Sequence, residues 1–171
     1  MLIESLRLII TEFTPDMAQI VHENSLDDDT RRFLADEVFE TVEEAREAID
    51  FLISQYGTFE GPQVYPVLLK EDGANIGYVQ LVPLVNGTWE LGYHIAKKFT
   101  GRGYAAEAVK AFLPVITKAA GIAEVYGICL KENLASRRVL EKCGFSPFFE
   151  GIGNYKGGQN EIYKSLWKSE N

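Results

Sequence analysis

Gly101-Arg102-Gly103-Tyr104-Ala105-Ala106-Glu107-Ala108 is the segment of this chain best suited to chemistry, and the chemistry it suits is holding a phosphate. It lies between a strand-like run, residues 91–95, and a helical run that opens near Tyr104. Two glycines one residue apart let the main chain turn tightly and approach a ligand with no Cβ in between. The helix after them aims its unpaired N–H groups, and the positive end of its dipole, back into the turn. Strand, glycine turn and helix N-terminus together make a cradle for a phosphate or diphosphate. The spacing is neither of the two common nucleotide fingerprints. Position 106 is alanine and no third glycine completes the dinucleotide pattern. No Gly-Lys-Ser/Thr sequence marks a P-loop. A turn of this kind also serves simply to close a strand-to-helix connection.

A second block, Asn133-Leu134-Ala135-Ser136-Arg137-Arg138-Val139-Leu140-Glu141-Lys142-Cys143-Gly144-Phe145, reads as a helix closed by Gly144. A third, Glu90-Leu91-Gly92-Tyr93, lies on the strand leading into the glycine turn. With an opening strand of the type Ser5-Leu6-Arg7-Leu8-Ile9-Ile10, these blocks span nearly the whole chain. In that order and spacing the sequence resembles the GNAT superfamily of N-acetyltransferases. The nearest branch is the one that includes the ribosomal-protein N-terminal acetyltransferases. The resemblance implies transfer of the acetyl group of acetyl-CoA, a co-substrate, to a primary amine by direct attack in a ternary complex. No covalent enzyme intermediate and no metal are implied. The implied acceptor is a protein N-terminus or a small-molecule amine, with a lysine side chain a more distant choice.

The same resemblance assigns roles by position. The main chain of Gly101, Arg102, Gly103, Tyr104 and Ala105 would hold the diphosphate, with Arg102 adding a nearby positive charge. The family usually carries Arg or Gln where this chain has Thr100, so one side-chain contribution is missing while main-chain donors are unaffected. His94 and Ile95 would pair with the pantetheine amides, as an extended ligand adds to an open strand edge. Asn133 matches the asparagine that contacts the pantetheine arm, and Asn is also a preferred helix cap. Ser136 is the candidate acid, an oriented hydroxyl donor to the departing thiolate. A serine in a first helical turn is otherwise a solvated or capping group. Glu90 is the candidate general base, provided partial burial lifts its pKa toward neutrality. Its alternative is a strand-edge carboxylate facing water. His94 shares a strand face with Glu90 and is the reserve base. Tyr93 and Tyr104 read as packing residues. Two rival functions stand beside this one: a non-catalytic acyl-CoA sensor or interaction module, and an aminoglycoside- or antibiotic-modifying acetyltransferase.

The elements that must position these residues are legible in outline. Residues 5–10 alternate as a first strand. Thr14-Pro15-Asp16 opens a helix running toward Asn24, and a short second helix covers residues 29–34. Thr41-Val42-Glu43-Glu44 is a capping-box pattern before a long helix with Ala45, Ile49, Leu52 and Tyr56 on its apolar face. Residues 57–66 read as a loop, and residues 65–70 and 76–84 as a hairpin. Asn86-Gly87 predicts a two-residue turn into a strand over residues 88–95. Residues 104–119 follow as a helix that Pro114 should kink or loosen. Then come a strand over 125–130, a helix over 133–142, and strands over 145–150 and 160–167 joined by a glycine-rich loop at 151–158. Such an order predicts an α+β fold, a mixed sheet with helices packed on its faces. The resemblance adds that the sheet is mostly antiparallel and splays between its fourth and fifth strands, with the cofactor in the gap. Phe33, Glu37, Tyr56, Phe59 and Tyr155 are candidates to line an acceptor pocket.

Composition bounds the rest. A chain of 171 residues, 46% apolar and 25% charged, is expected to form one domain over residues 1–171 with a substantial core. No apolar run approaches membrane-spanning length, which makes a cytoplasmic location the expectation. A net charge of −8, from 25 acidic against 17 basic residues, disfavours nucleic acid and anionic lipid as partners and favours a cationic substrate. Cys129 and Cys143 sit in apolar settings and read as small buried hydrophobes. His22 and His94 lack ligand spacing, so no metal site is expected. Family members often pair as dimers, which leaves a homodimer open.

Overall fold

Leu8 and Ile10 alternate onto the core side of the first strand and are fully buried in the computed structural model, which describes residues 1–169. The single opening strand expected over 5–10 is a small hairpin instead: β1 (Ile3–Glu4) and β2 (Leu8–Ile10) pair antiparallel with Ile3 opposite Ile10. The Ser5 hydroxyl makes the reversal possible by accepting from the Leu8 N–H at 3.2 Å. An antiparallel meander follows through β3 (Gln63–Leu69), β4 (Asn75–Pro83) and β5 (Trp89–Ile95). Its last connection is a three-residue loop, not the expected two-residue Asn-Gly turn. Leu84 N–H bonds the Thr88 carbonyl at 2.8 Å, and Gly87 takes the left-handed position at φ 77°.

β6 (Glu124–Leu130), β7 (Ser146–Tyr155) and β8 (Gly158–Lys168) complete one sheet of eight strands among the described residues, ordered β1-β2-β3-β4-β5-β6-β8-β7. The glycine-rich stretch expected as a loop is strand almost throughout, turning only at Lys156-Gly157. Space is tight there: a Cβ on Gly153 would meet the Ile162 side chain at 2.8 Å. Every neighbouring pair is antiparallel except β5 and β6. That parallel pair shares only two positions, Glu90 with Tyr126 and Leu91 with Gly127, before the strands part.

Helices cover both faces of the sheet. α1 (Ala18–Asn24) and α3 (Val42–Gln55) pack on the side of Val64, with Phe13, Ala45 and Ile49 buried between. Thr14 does not cap a helix; its hydroxyl goes to the Asp16 carboxylate, and a 3₁₀ turn over Pro15–Met17 leads into α1. Thr41 does cap α3, accepting from Glu44 N–H at 3.2 Å, while the Glu44 carboxylate reaches back to Glu40 N–H. α2 (Asp28–Phe33) is capped by Asp27. On the other face, α4 (Tyr104–Ala120) buries Val109, Phe112 and Ile116 against Tyr65, Val67 and Leu69, and α5 (Leu134–Lys142) buries Leu140. Helical structure continues through Pro114 without interruption, although proline deprives one carbonyl of its partner. Among the described residues no helix is long and apolar enough to cross a membrane.

One clamp ties the start of α4 to the β1–β2 hairpin. Glu107 accepts from Arg7 N–H, Arg7 Nε and the Ser5 hydroxyl, each at 2.7 Å, and Arg7 Nη1 donates to the Arg102 carbonyl at 3.0 Å. The guanidinium also lies 4.4 Å over the Tyr104 ring. Burial works against the Glu107 carboxylate, but the hydrogen bonds from Arg7 and Ser5 prevail and hold its pKa below the ordinary range. Glu107→Ala is therefore expected to cost about 1–3 kcal/mol at neutral pH. That penalty should shrink as pH falls through the carboxylate range, because a depressed acid stabilises only while ionised. Urea denaturation at neutral and acidic pH checks both the size and the sign.

Candidate active site

Where β5 and β6 part, a cavity of about 670 Å³ opens, with β5 and β6 as its walls, the turn after β5 at one end and α5 along its side. Its main-chain lining follows from the sheet. Ala96 N–H donates to the Ile76 carbonyl at 2.8 Å, so the two-residue alternation of the ladder spends the main chain of His94 on Tyr78. Tyr93 and Ile95 are left with their N–H and C=O groups turned toward the gap. Of the two strand residues expected to meet a pantetheine arm, Ile95 thus turns its main chain to the gap and His94 does not, while Tyr93 does. Opposite, the Ile128 carbonyl accepts from the Tyr155 hydroxyl at 3.2 Å, and the Leu130 carbonyl accepts from Asn133 N–H at 2.9 Å.

The glycine turn lies at the cavity rim. Gly101 and Gly103 take φ of 77° and 81°, a left-handed conformation costly for any residue with a Cβ. A Cβ at Gly101 would point into open space, and one at Gly103 would meet only Arg7 Nη2 at 3.5 Å. The first main-chain bond of α4 runs from Glu107 N–H to the Gly103 carbonyl at 3.1 Å. Among the described residues the N–H groups of residues 101–106 have no acceptor, and they gather at the positive end of a 17-residue helix. Gly101, Gly103, Tyr104 and Ala105 line the cavity. Arg102 does not; it is exposed, and its carbonyl is held by Arg7. Thr100 lines the rim but donates its hydroxyl to the Lys97 carbonyl.

Asn133 caps α5, accepting from Ser136 N–H at 3.2 Å, which sets Ser136 on the cavity wall. The Ser136 hydroxyl lies 2.7 Å from the Tyr93 hydroxyl, which also reaches the Ser136 carbonyl at 3.0 Å. A tyrosine read from sequence as packing thus joins the candidate acid across the gap; its place in the Glu90–Tyr93 block was the available signal. Burial raises the Tyr93 pKa, so the phenol stays protonated. Cys129 also lines this part of the cavity, and burial pushes its thiol up to about 11. Cys143 is buried with a thiol likewise at about 11. Both are buried, as expected of small hydrophobes.

Glu90 faces the same cavity from the closed end of the gap. Burial lifts its carboxyl to about 7; Lys156 opposes that rise, and Glu37 and Asp36 add to it. Among the described residues it has no hydrogen-bond partner. His94 also lines the cavity, but its ring is held elsewhere. Its Nε2 is 2.8 Å from the Thr30 hydroxyl and 3.7 Å from Asp27, and burial lowers its pKa despite that carboxylate. A ring tied to α2 in this way is poorly suited to serve as a reserve base. Of the acceptor-pocket candidates, Phe33, Glu37 and Tyr155 line the cavity. Tyr56 and Phe59 do not: the Tyr56 hydroxyl donates to the Val64 carbonyl at 2.7 Å, and Phe59 packs on the core. Glu37 accepts from the Tyr78 hydroxyl and from Gln80 Nε2, and burial raises its pKa. Among the described residues no group of three or more His, Cys, Asp or Glu side chains is arranged to hold a metal ion.

Known proteins share this fold and sequence pattern. The sequence model described as Acetyltransferase (GNAT) domain matches residues 7–146. An uncharacterised N-acetyltransferase of Bacillus subtilis, YnaD, is 29% identical over 139 residues, covering 81% of this chain and 78% of that protein. A GNAT-family acetyltransferase from Bacillus anthracis superposes with a TM-score of 0.83 at 24% identity, covering 98% of each chain. RimL, a ribosomal-protein alpha-N-acetyltransferase solved in complex with coenzyme A, gives 0.82 at 16% identity, again over 98% of each chain. The two structures share the splayed mixed fold, and the sequence match, which takes in the glycine turn, Glu90 and the Asn133 helix, shows that the chain belongs to the GNAT family of acetyl-CoA-dependent acetyltransferases.

Proposed function

We propose that this protein acetylates a primary amine, the acetyl group passing directly from acetyl-CoA to an acceptor held beside Glu90. One observation carries the reading. A single cavity joins the turn at residues 101–106, whose N–H groups have no acceptor among the described residues, to the partly buried Glu90 carboxyl, which has no side-chain hydrogen bond there and is lifted to about 7. Acetyl-CoA, when bound, supplies an acyl group already activated as a thioester. The cradle holds its diphosphate by main-chain donors, which do not depend on the side chain at Thr100. Tyr93 and Ile95 offer strand hydrogen bonds to the pantetheine amides, and Asn133 borders the arm.

Glu90 takes the proton that the acceptor's ammonium loses before the neutral amine attacks the thioester carbonyl, since near neutrality half of such carboxyls are ionised. Ser136, oriented by its bonds to Asn133 and Tyr93, donates toward the sulfur as the thiolate departs. Holding the two reactants together contributes most of the remaining acceleration. The acceptor end, walled by Phe33, Glu37 and Glu90, suits a cationic amine. A protein N-terminus agrees with the likeness to RimL, and a small-molecule amine fits the same walls. Measuring CoA release across N-terminal peptides, polyamines, aminoglycosides and amino acids identifies the acceptor class; no release with any amine would contradict the proposal.

Gly103→Val is expected to abolish acetyl-CoA binding, because valine cannot adopt the left-handed conformation that aims the cradle's N–H groups. Calorimetry showing unchanged affinity would remove the cradle from the account. Glu90→Gln should leave acetyl-CoA binding intact and lower turnover by about 10²–10⁴. In the wild type, activity should fall as pH drops below about 7, the base being lost on protonation. The same group has a stability signature. Its folded pKa is raised, so it favours folding while protonated, and that contribution is lost as pH rises from 4.5 to about 7. Thermal melts of the wild type should decline relative to Glu90→Gln across that window; parallel curves would show that Glu90 is not buried as described.

A further inference from the structure

The tip of the β7–β8 hairpin reaches across the acceptor end of the cavity to a turn 120 residues earlier in the chain. Lys156 Nζ lies 2.9 and 3.1 Å from the two Asp36 carboxylate oxygens and 3.9 Å from Glu37 Oε1. These acids belong to a 3₁₀ turn over Ala35–Glu37 that links α2 to the chain before α3. Lys156 and its neighbour Tyr155 both line the cavity. The lysine holds a φ of 53°, a left-handed conformation that a hairpin turn of this kind normally gives to Asn, Asp or Gly. Turn chemistry therefore does not explain a lysine here, and strained residues persist where the surrounding contacts require them.

We propose that Lys156 is a positioning residue for the acceptor, a strap that ties the hairpin tip to the Ala35–Glu37 turn across the port walled by Glu37 and Glu90. The inference rests on the reading of Glu90 as base. Two features make the strap suited to opening for an incoming amine. Asp36 is exposed, so its bond to Lys156 is weak and screened by salt. Glu37, by contrast, stays anchored to Tyr78 and Gln80 when the strap lifts. The groups whose charge bears on Glu90 are Lys156 on the hairpin, Lys164 on β8, and Glu37 and Asp36 on the 3₁₀ turn. The hydroxyl of Tyr155 and the thiol of Cys129 respond in turn to the Glu90 charge. Lys156 is the first of the two cations in that set, so its loss should leave Glu90 harder to ionise.

Lys156→Asn separates this role from a merely structural one, because Asn tolerates the left-handed turn yet carries no charge. Carboxyl-resolved NMR of glutamate-labelled protein should show the Glu90 midpoint rising on the order of half a unit to one unit in Lys156→Asn and returning in Lys156→Arg. Amide hydrogen exchange should quicken severalfold at residues 35–37 and 155–158 in Lys156→Asn and be restored in Lys156→Arg. An unmoved Glu90 midpoint, or unchanged exchange at either segment, overturns the strap. Either result would leave the role of Glu90 to be judged separately by the activity of Glu90→Gln.

Discussion

Two strands that run parallel but share only two paired positions, Glu90 with Tyr126 and Leu91 with Gly127, set the terms for the rest of this molecule. A sheet that stays closed leaves no room for a ligand between its strands, and one that parts must do something with the main-chain groups it exposes. On the β6 side the exposed carbonyls are met from within the protein, by the Tyr155 hydroxyl at Ile128 and by Asn133 N–H at Leu130. On the β5 side Tyr93 and Ile95 are left facing the gap. One lip of the opening is thus satisfied and stiff, while the other is free to add an extended ligand.

The two ends of the gap carry opposite electrostatic characters. At the open end the N-terminus of α4 and a turn of left-handed glycines present N–H groups and no acceptor, which favours an anion. The Arg7–Glu107 clamp fastens that end to the β1–β2 hairpin, so the donors are preorganised by contacts far from them in sequence. At the closed end Glu37 and Glu90 are partly buried together, which raises both and keeps Glu90 near the point of ionisation. A long ligand with a charged head and a reactive tail is oriented by that asymmetry alone. In the proposed reaction the tail reaches Glu90, the proposed base, and the Ser136–Tyr93 pair, the proposed donor.

Features that depend on neighbours in sequence were legible before any coordinates. The glycine turn, the Thr41 and Asn133 caps and the even spacing of Glu90 and His94 are local, and each follows from the conformational preferences of a few residues. Errors arose where local signals compete. Glycines at 151–158 suggest a loop, yet cross-strand crowding at Gly153 favours glycine within a strand. Asn86-Gly87 announces a turn but not whether two residues or three span it. Long-range pairings were out of reach altogether. Nothing near Glu37 signals its bonds to Tyr78 and Gln80, and nothing near Lys156 signals Asp36. Strand parity puts His94 on the face of Glu90 but does not say which neighbouring strand claims its main chain.

The claim at the centre is that the opening between β5 and β6 takes a diphosphate-bearing thioester, head at the start of α4 and tail toward Glu90. A crystal structure with acetyl-CoA tests it most directly. The account predicts diphosphate oxygens within hydrogen-bonding distance of the amide nitrogens of residues 101–106 and the thioester between Ser136 and Glu90. Finding the nucleotide bound elsewhere, with those amides still unmatched, would contradict it.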